Sequence, residues 1–250
     1  LTYRLQTRID SAGLVLMKQK QLRIMPMLSN FRSIAKGFDG KLLHKILSDS
    51  VLQKNLIQEI ADTLSDYQLS GINIDFEELA ETTNGPLTQF QKKLYEKLHG
   101  RGLLISMDVE PKNNDYDYTK LSDYNDYIVL MAYDQYNNST GPGPISSQKW
   151  IEDAVSWTAE RIDPSKIILG IGGFGYDWAN GKYDQNYTYN DVISKAKAIN
   201  AKIIYDNDSY NLHFSYDSDE TDTSGNVDKT SHEVWFTDAA TIFNILRFSD

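Results

Sequence analysis

The nine residues Ser70-Gly71-Ile72-Asn73-Ile74-Asp75-Phe76-Glu77-Glu78 read as one buried strand with a polar inner face. Successive side chains on a strand point to opposite sides. Ile72, Ile74 and Phe76 therefore share one face, and Asn73, Asp75 and Glu77 share the other. Like charges two positions apart repel, and desolvation makes the repulsion costlier. A core has no structural use for such a row. A site that must hold one proton between two carboxyls does. The alternative, a structural polar cluster, would leave acids buried without a counter-charge.

Outward from this strand, helical and strand-like segments alternate, which predicts a parallel sheet in an α/β fold. Strands are expected at 22–30, 71–77, 103–110, 127–134 and 166–176. Helices are expected at 49–67, 86–98, 149–161 and 191–199, the last capped by Thr188, with a final helix from Asp238. Short antiparallel strands are expected at 202–206, 211–216 and 233–236, joined by a solvated Asp-rich loop within 206–228. A (β/α)8 barrel of the TIM type needs eight parallel strands. The chain therefore reads as one barrel module spanning 1–250, incomplete at its ends, with a small α+β insertion at 180–236. Two strands are expected before residue 1 and one after residue 250. Leu rather than Met at the first position also predicts a domain of a longer polypeptide.

At 40% hydrophobic, the 250 residues can bury a substantial core. The formal charge of −10 argues against nucleic acid and anionic membranes as partners. It leaves a neutral glycan open. No cysteine is present, which excludes disulfides and thiolate metal sites. No apolar run is long enough for a transmembrane helix. His44, His99, His213 and His232 are scattered, with no paired-histidine spacing for zinc, so no metal is expected. The tract holding Gly172, Gly173 and Gly175 lacks a clear helix start after it, which argues against phosphate binding. No nucleophile elbow, Rossmann or Walker fingerprint is present.

Several expected strands end in polar or aromatic residues: Ser29 and Asn30, Asp75 and Glu77, Asp108 and Glu110, Tyr133 and Asp134, Tyr176 and Trp178. Barrel active sites sit at that rim. A ring of acids, amides and aromatics suits carbohydrate, whose hydroxyls need acceptors and donors and whose faces need flat platforms. Trp235 is a further candidate platform. Core packing is the bland alternative for Tyr176, Trp178 and Trp235. Solvated rim acids or an ion pair is the alternative for Asp108 and Glu110, and loop capping for Ser29, Asn30 and Asp134. The Cβ atoms of Asp75 and Glu77 lie roughly 6.5–7 Å apart along one strand, so the two acids stand side by side. Two glycosidase carboxyls ordinarily flank the sugar from opposite sides. Neighbours on one strand cannot easily do that. With Glu77 as general acid, an N-acetyl group on the substrate would supply the nucleophile and Asp75 would orient it.

SGINIDFE (70–77) resembles the strand-four signature of glycoside hydrolase family 18, the chitinase family, written D-x-x-D-x-D-x-E. LMAYDQY (130–136) resembles its sixth-strand motif. KIILGIGGFGYDW (166–178) is similar to its seventh strand, and HEVWFTDAAT (232–241) to the segment before the eighth. The resemblance implies retaining, substrate-assisted hydrolysis of β-linked N-acetylated amino sugars, with no cofactor. It implies Glu77 as acid/base, Asp75 as the acetamide-orienting acid, Tyr133 as the hydroxyl steadying that group, and Asp134 as a sugar ligand. Asn73 would help position the acetamido group, hydrogen-bonding Asp75. Ser70 and Asn73 depart from the family's first two aspartates. Asn73 resembles the branch holding spore-cortex peptidoglycan hydrolases. The run 125–150 resembles a module that large bacterial proteins fuse to a polysaccharide deacetylase and a family-2 glycosyltransferase. Both imply an extracytoplasmic setting and peptidoglycan, poly-N-acetylglucosamine or a chitin-like substrate. A glycan-binding module without activity is the alternative.

Overall fold

The computed structural model describes residues 5–33, 36–221 and 227–249. Contacts divide the chain into two compact units: Leu1–Leu130 with Thr158–Ile168, and Met131–Trp157 with Leu169–Asp250.

The first unit begins with α1 (Ser11–Gln19), β1 (Met27–Ser29) and a small two-stranded sheet, β2 (Phe31–Arg32) and β3 (Gly37–Phe38). Helices α2 (Gly40–Ser48) and α3 (Ser50–Asp66) lead to β4 (Gly71–Asp75). Helix α4 (Asn84–Leu98), β5 (Leu104–Val109), α5 (Tyr118–Ser122) and β6 (Tyr127–Met131) follow, and β7 (Ile167–Gly170) returns later in the chain. The sheet order is β1-β4-β5-β6-β7, with β1, β4, β5 and β6 paired in parallel. Strands β1, β4, β5, β6 and β7 fall within the five stretches where the sequence predicts parallel strands, and among the described residues they are not closed into a barrel.

The sequence explains where the elements begin. Asp49 caps α3, its Oδ1 accepting from the Val51 and Leu52 N–H groups at 2.8 and 3.0 Å. The first parallel strand is shorter than the expected 22–30, because Pro26 has no N–H to donate. The Ile24 and Pro26 carbonyls still accept from Ser70 N and Asn73 N. Ser70 is part of this seam, its Oγ accepting from Ile24 N at 3.2 Å. Gly71 is required by close approach: a Cβ there would lie 2.1 Å from the Leu104 carbonyl oxygen. Ile72, Ile74 and Phe76 are buried, as are Phe90, Leu94 and Leu98 of α4, and the Phe76 and Phe90 rings lie 5.9 Å apart. That apolar face leaves the opposite face of β4 for Asn73, Asp75 and Glu77.

In the second unit, α6 (Gln148–Ala159, its last two residues in the first unit) and α8 (Ala239–Ser249) bury Ile151 and Ile245 with Ala132. An antiparallel sheet is built from β8 (Phe174–Ala179), β9 (Lys182–Thr188), β10 (Ile204–Tyr205), β11 (Leu212–Thr221) and β12 (Val227–Phe236), in the order β10-β11-β12-β8-β9. Helix α7 (Tyr189–Ala198) lies on one face, burying Val192 and Ala196 against Phe214, Val234 and Phe236. Thr188 caps it in a reciprocal capping box with Asp191.

Two expectations are corrected here. The Gly-rich segment is not one strand: β7 ends at Gly170, and β8, from Phe174, joins the antiparallel sheet instead. Gly172 sits in the break, where a Cβ would fall 2.8 Å from Tyr133 Cβ. The Asp-rich tract is not a loop throughout, since β11 runs on through Asp217 and Asp219. Both acids are exposed while Tyr216 and Ser218 are partly buried, a period-two pattern that a solvated ribbon tolerates. Among the described residues, no helix is long and apolar enough to cross a membrane.

Candidate active site

The polar face of β4 and the neighbouring ends of β1 and β5 form a connected acid cluster within the first unit. Strand register creates it. Asn73 stands opposite Ser106 in the β4–β5 ladder, and Asp75 stands opposite Ser29 in the β1–β4 ladder. The Asn73 amide nitrogen donates to Asp108 Oδ2 at 2.7 Å, and its Oδ1 accepts from Ser106 Oγ at 2.6 Å. The expectation that Asn73 bonds Asp75 is therefore corrected: its side chain is directed at β5. Asp75 hydrogen-bonds instead with the Ser29 hydroxyl and the Glu77 carboxyl.

These carboxyls hold protons readily. Asp75 is 6% exposed, and burial raises its pKa against the lowering effect of the Ser29 and Glu77 hydrogen bonds. Asp108, 8% exposed, is pushed up to about 6, first by burial and then by the charge of Asp75, with the Asn73 bond opposing. Among the described residues, no ion pair neutralises Asp75 or Asp108. Glu110 is also raised, chiefly by burial, with smaller contributions from Asp115 and Glu78.

The backbone carrying Glu77 is fixed from two sides. Asn30 Nδ2 donates to the Glu77 carbonyl at 2.8 Å, and the Glu77 N–H donates to Asn30 Oδ1 at 3.0 Å. Both ends of the Asn30 amide are thus occupied by the chain it positions, which leaves it little capacity to bind a sugar. The buried Tyr116 hydroxyl donates to the Phe76 carbonyl at 2.8 Å. Tyr118 donates to the Glu110 carbonyl. Ser106 shared its inward face with Asp108 and Glu110 in the sequence, so its signal was present. Tyr116 reaches back over forty positions from the loop after β5, and no local pattern announces that.

The second unit holds the remaining candidates. Tyr133 closes a tight turn after β6, its N–H donating to the Met131 carbonyl at 2.9 Å, and its ring meets Phe174 edge-on at 6.0 Å. Asp134 follows with φ of 62°, in the left-handed region. Its Oδ1 accepts from the Tyr176 hydroxyl at 2.7 Å, and burial raises its pKa despite that bond. Tyr176 is partly buried. Trp178 is corrected from platform to core: at 0% exposed it offers no face to a ligand, and its Nε1 donates to the Thr140 carbonyl at 3.2 Å. Trp235 is half-buried, stacked on His213 at 4.4 Å, and donates from Nε1 to Glu233 at 2.6 Å.

A family model described as "Glycosyl hydrolases family 18" matches residues 17–245. The uncharacterized glycosylase YvbX of Bacillus subtilis is 26% identical, over 90% of this chain and 66% of YvbX. The cortical fragment-lytic enzyme of Bacillus subtilis is also 26% identical, over 90% of this chain and 58% of that enzyme. The crystal structure of the Bacillus cereus spore cortex-lytic enzyme SleL superposes with a TM-score of 0.80 at 25% identity, covering 97% of this chain and 58% of SleL. The chain thus spans between half and two thirds of the length of these relatives.

Proposed function

The chain belongs to the glycosyl hydrolases of family 18, and from that premise we propose that it cleaves β-linked N-acetylglucosamine-containing glycan by retaining, substrate-assisted catalysis. The observation that carries this reading is that the buried Asp75 carboxyl lies beside Glu77 at the end of one strand, rather than facing it across a cleft. In two-carboxylate hydrolysis the acids stand roughly 5–9.5 Å apart, across the sugar. Acids side by side at one strand end cannot easily flank a sugar, and they suit a shared proton.

In this reading Glu77 donates its proton to the glycosidic oxygen as the bond to the sugar breaks. The substrate's own acetamido oxygen closes on the anomeric carbon. Asp75 accepts from the acetamido N–H, which keeps that oxygen nucleophilic. Glu77, now a base, takes a proton from water as water opens the cyclic intermediate with retained configuration. Asn30 and Tyr116 hold the Glu77 backbone for both proton transfers. For Tyr133 and Asp134 the support is the family motif alone.

The names of the cortical fragment-lytic enzyme and of SleL favour cell-wall peptidoglycan of the spore-cortex kind over crystalline chitin, and with it an extracytoplasmic site of action. The test is hydrolysis of a panel of β-linked oligosaccharides, with and without 2-acetamido groups, and of peptidoglycan. Turnover only where the sugar on the non-reducing side of the cut carries an acetamido group supports the reading. Equal turnover of sugars lacking it contradicts the reading. Binding of the panel without turnover identifies a glycan-binding module.

A further inference from the structure

The face of the antiparallel sheet opposite Tyr176 carries a second polar group that hydrolysis does not use. Tyr176 pairs with Trp235 across β8 and β12, while the next residue, Asp177, pairs with Val234 on the other face. His232 lies diagonal to Asp177 on that same face, within side-chain reach. Its Nδ1 is 3.0 Å from Asp177 Oδ1. The β8–β9 register slips at Asp177, pairing Asp177 with Gln185 and Trp178 with Tyr183. Asp184 is the extra residue, and such a bulge re-aims a side chain. Ligand atoms of Asp177, Asp184 and His232 all lie within 4.8 Å of one another.

We propose that Asp177, Asp184 and His232 form a binding site for a divalent first-row cation of the zinc class. In tetrahedral zinc sites two ligand atoms, each about 2.1 Å from the ion, lie about 3.4 Å apart, so the 3.0 Å between His232 Nδ1 and Asp177 Oδ1 needs to open only slightly to admit the ion. The outer contacts fit too. Metal-binding histidines donate their other ring N–H to an oxygen, and ligating carboxylates are themselves hydrogen-bonded. Ser218 Oγ is 3.0 Å from His232 Nε2, and the Tyr216 hydroxyl donates to Asp177 Oδ2 at 2.8 Å. The Tyr216 ring stacks on the imidazole at 4.4 Å, which fixes its plane. On binding, the ion takes the Nδ1 lone pair, and the ring's proton resides on Nε2, donated to Ser218.

The order Ser218–His232–Asp177 also resembles a nucleophile–base–acid relay. Asp184 decides between them. A relay uses one acid, and a second carboxylate this close adds negative charge that a bound cation neutralises. The imidazole favours zinc over calcium or magnesium, which take oxygen ligands. Lys195 of α7, with Nζ 4.5 Å over the Tyr216 ring, is a positive charge that the bound ion must tolerate.

The test is calorimetric titration of the metal-stripped chain with Zn²⁺ alone, and separately with Ca²⁺. One Zn²⁺ per chain is expected, with a raised Tm and a shift of the His232 Nδ1 resonance. Asp184 is exposed, so Asp184→Asn should keep the fold, checked by circular dichroism, while weakening zinc at least about tenfold. Asp153→Asn, an exposed acid on α6, should leave zinc affinity unchanged. Absence of saturable zinc uptake, equal affinity in Asp184→Asn, or a preference for Ca²⁺ would overturn the proposal.

Discussion

Asp75 and Asp177 are both buried aspartates on strands, one in each unit, and their partners differ in kind. Asp75 is met by a hydroxyl and another acid, and its pKa is raised. Asp177, fully buried, is met by the His232 imidazole and the Tyr216 hydroxyl. The first environment withholds a counter-charge and so favours a mobile proton. The second supplies an imidazole, and its contacts fix side-chain positions on the sheet. Burial alone does not mark an aspartate as catalytic; the charge type of its partners does.

The largest expected effect separates the two regions outright. Glu77→Gln should lower turnover about 10³-fold, the scale of lost general acid–base catalysis, while glycan binding stays within a few fold. Asp177→Asn should instead lower stability by about 2 kcal/mol, read by urea denaturation, because the buried imidazole and the Tyr216 hydroxyl lose a carboxylate hydrogen-bond partner. If Asp177→Asn matched Glu77→Gln in lost turnover per folded molecule, the distinction would collapse.

Next in size is Asn30→Ala. It removes both bonds that hold the Glu77 backbone, and a misplaced acid costs about 30-fold in kcat with little change in KM. Asp108→Asn acts on pH dependence. The Asp108 pKa is raised to about 6, so the folded state binds a proton that the unfolded chain has released. This stability is complete below about pH 4 and is lost as pH rises through about 6. The asparagine variant should lack that component of the slope and be more stable at pH 7, on the order of 1 kcal/mol after solvent screening. Denaturation midpoints from pH 4 to 7 measure it. Smallest is Tyr176→Phe, which removes the hydroxyl from Asp134 and should destabilise the second unit by about 1 kcal/mol. Equal midpoints for the variant and the parent chain would show that bond to be idle.

Much of the first unit was legible because its signals are local. The alternation over Ile72–Glu77 assigns both faces of β4, and Asp49 marks the start of α3; in the second unit Thr188 marks the start of α7 in the same way. The wiring of the site was less legible. That Asn73 serves Asp108 rather than Asp75 depends on the β4–β5 register, which Asn73 and its immediate neighbours do not specify. The amide of Asn30 was visible, but its use as a backbone clamp depends on a partner 47 positions away. Trp178 looked like a platform because an aromatic beside acids suits sugar, whereas packing in the antiparallel sheet decides its burial. The Asp177–Asp184–His232 group was invisible to spacing rules, because a bulge and a strand pairing 55 positions apart assemble it.

The most direct test of the central claim is the anomeric configuration of the first product. Proton NMR during cleavage of a β-linked N-acetylglucosamine oligomer or muropeptide should show the β-anomer forming first and mutarotating later. That is the result of an acetamido group attacking while Glu77 serves as acid and then base. Initial formation of the α-anomer would require water activated by a second carboxylate across the sugar, and would contradict the shared-proton role of Asp75 and Glu77.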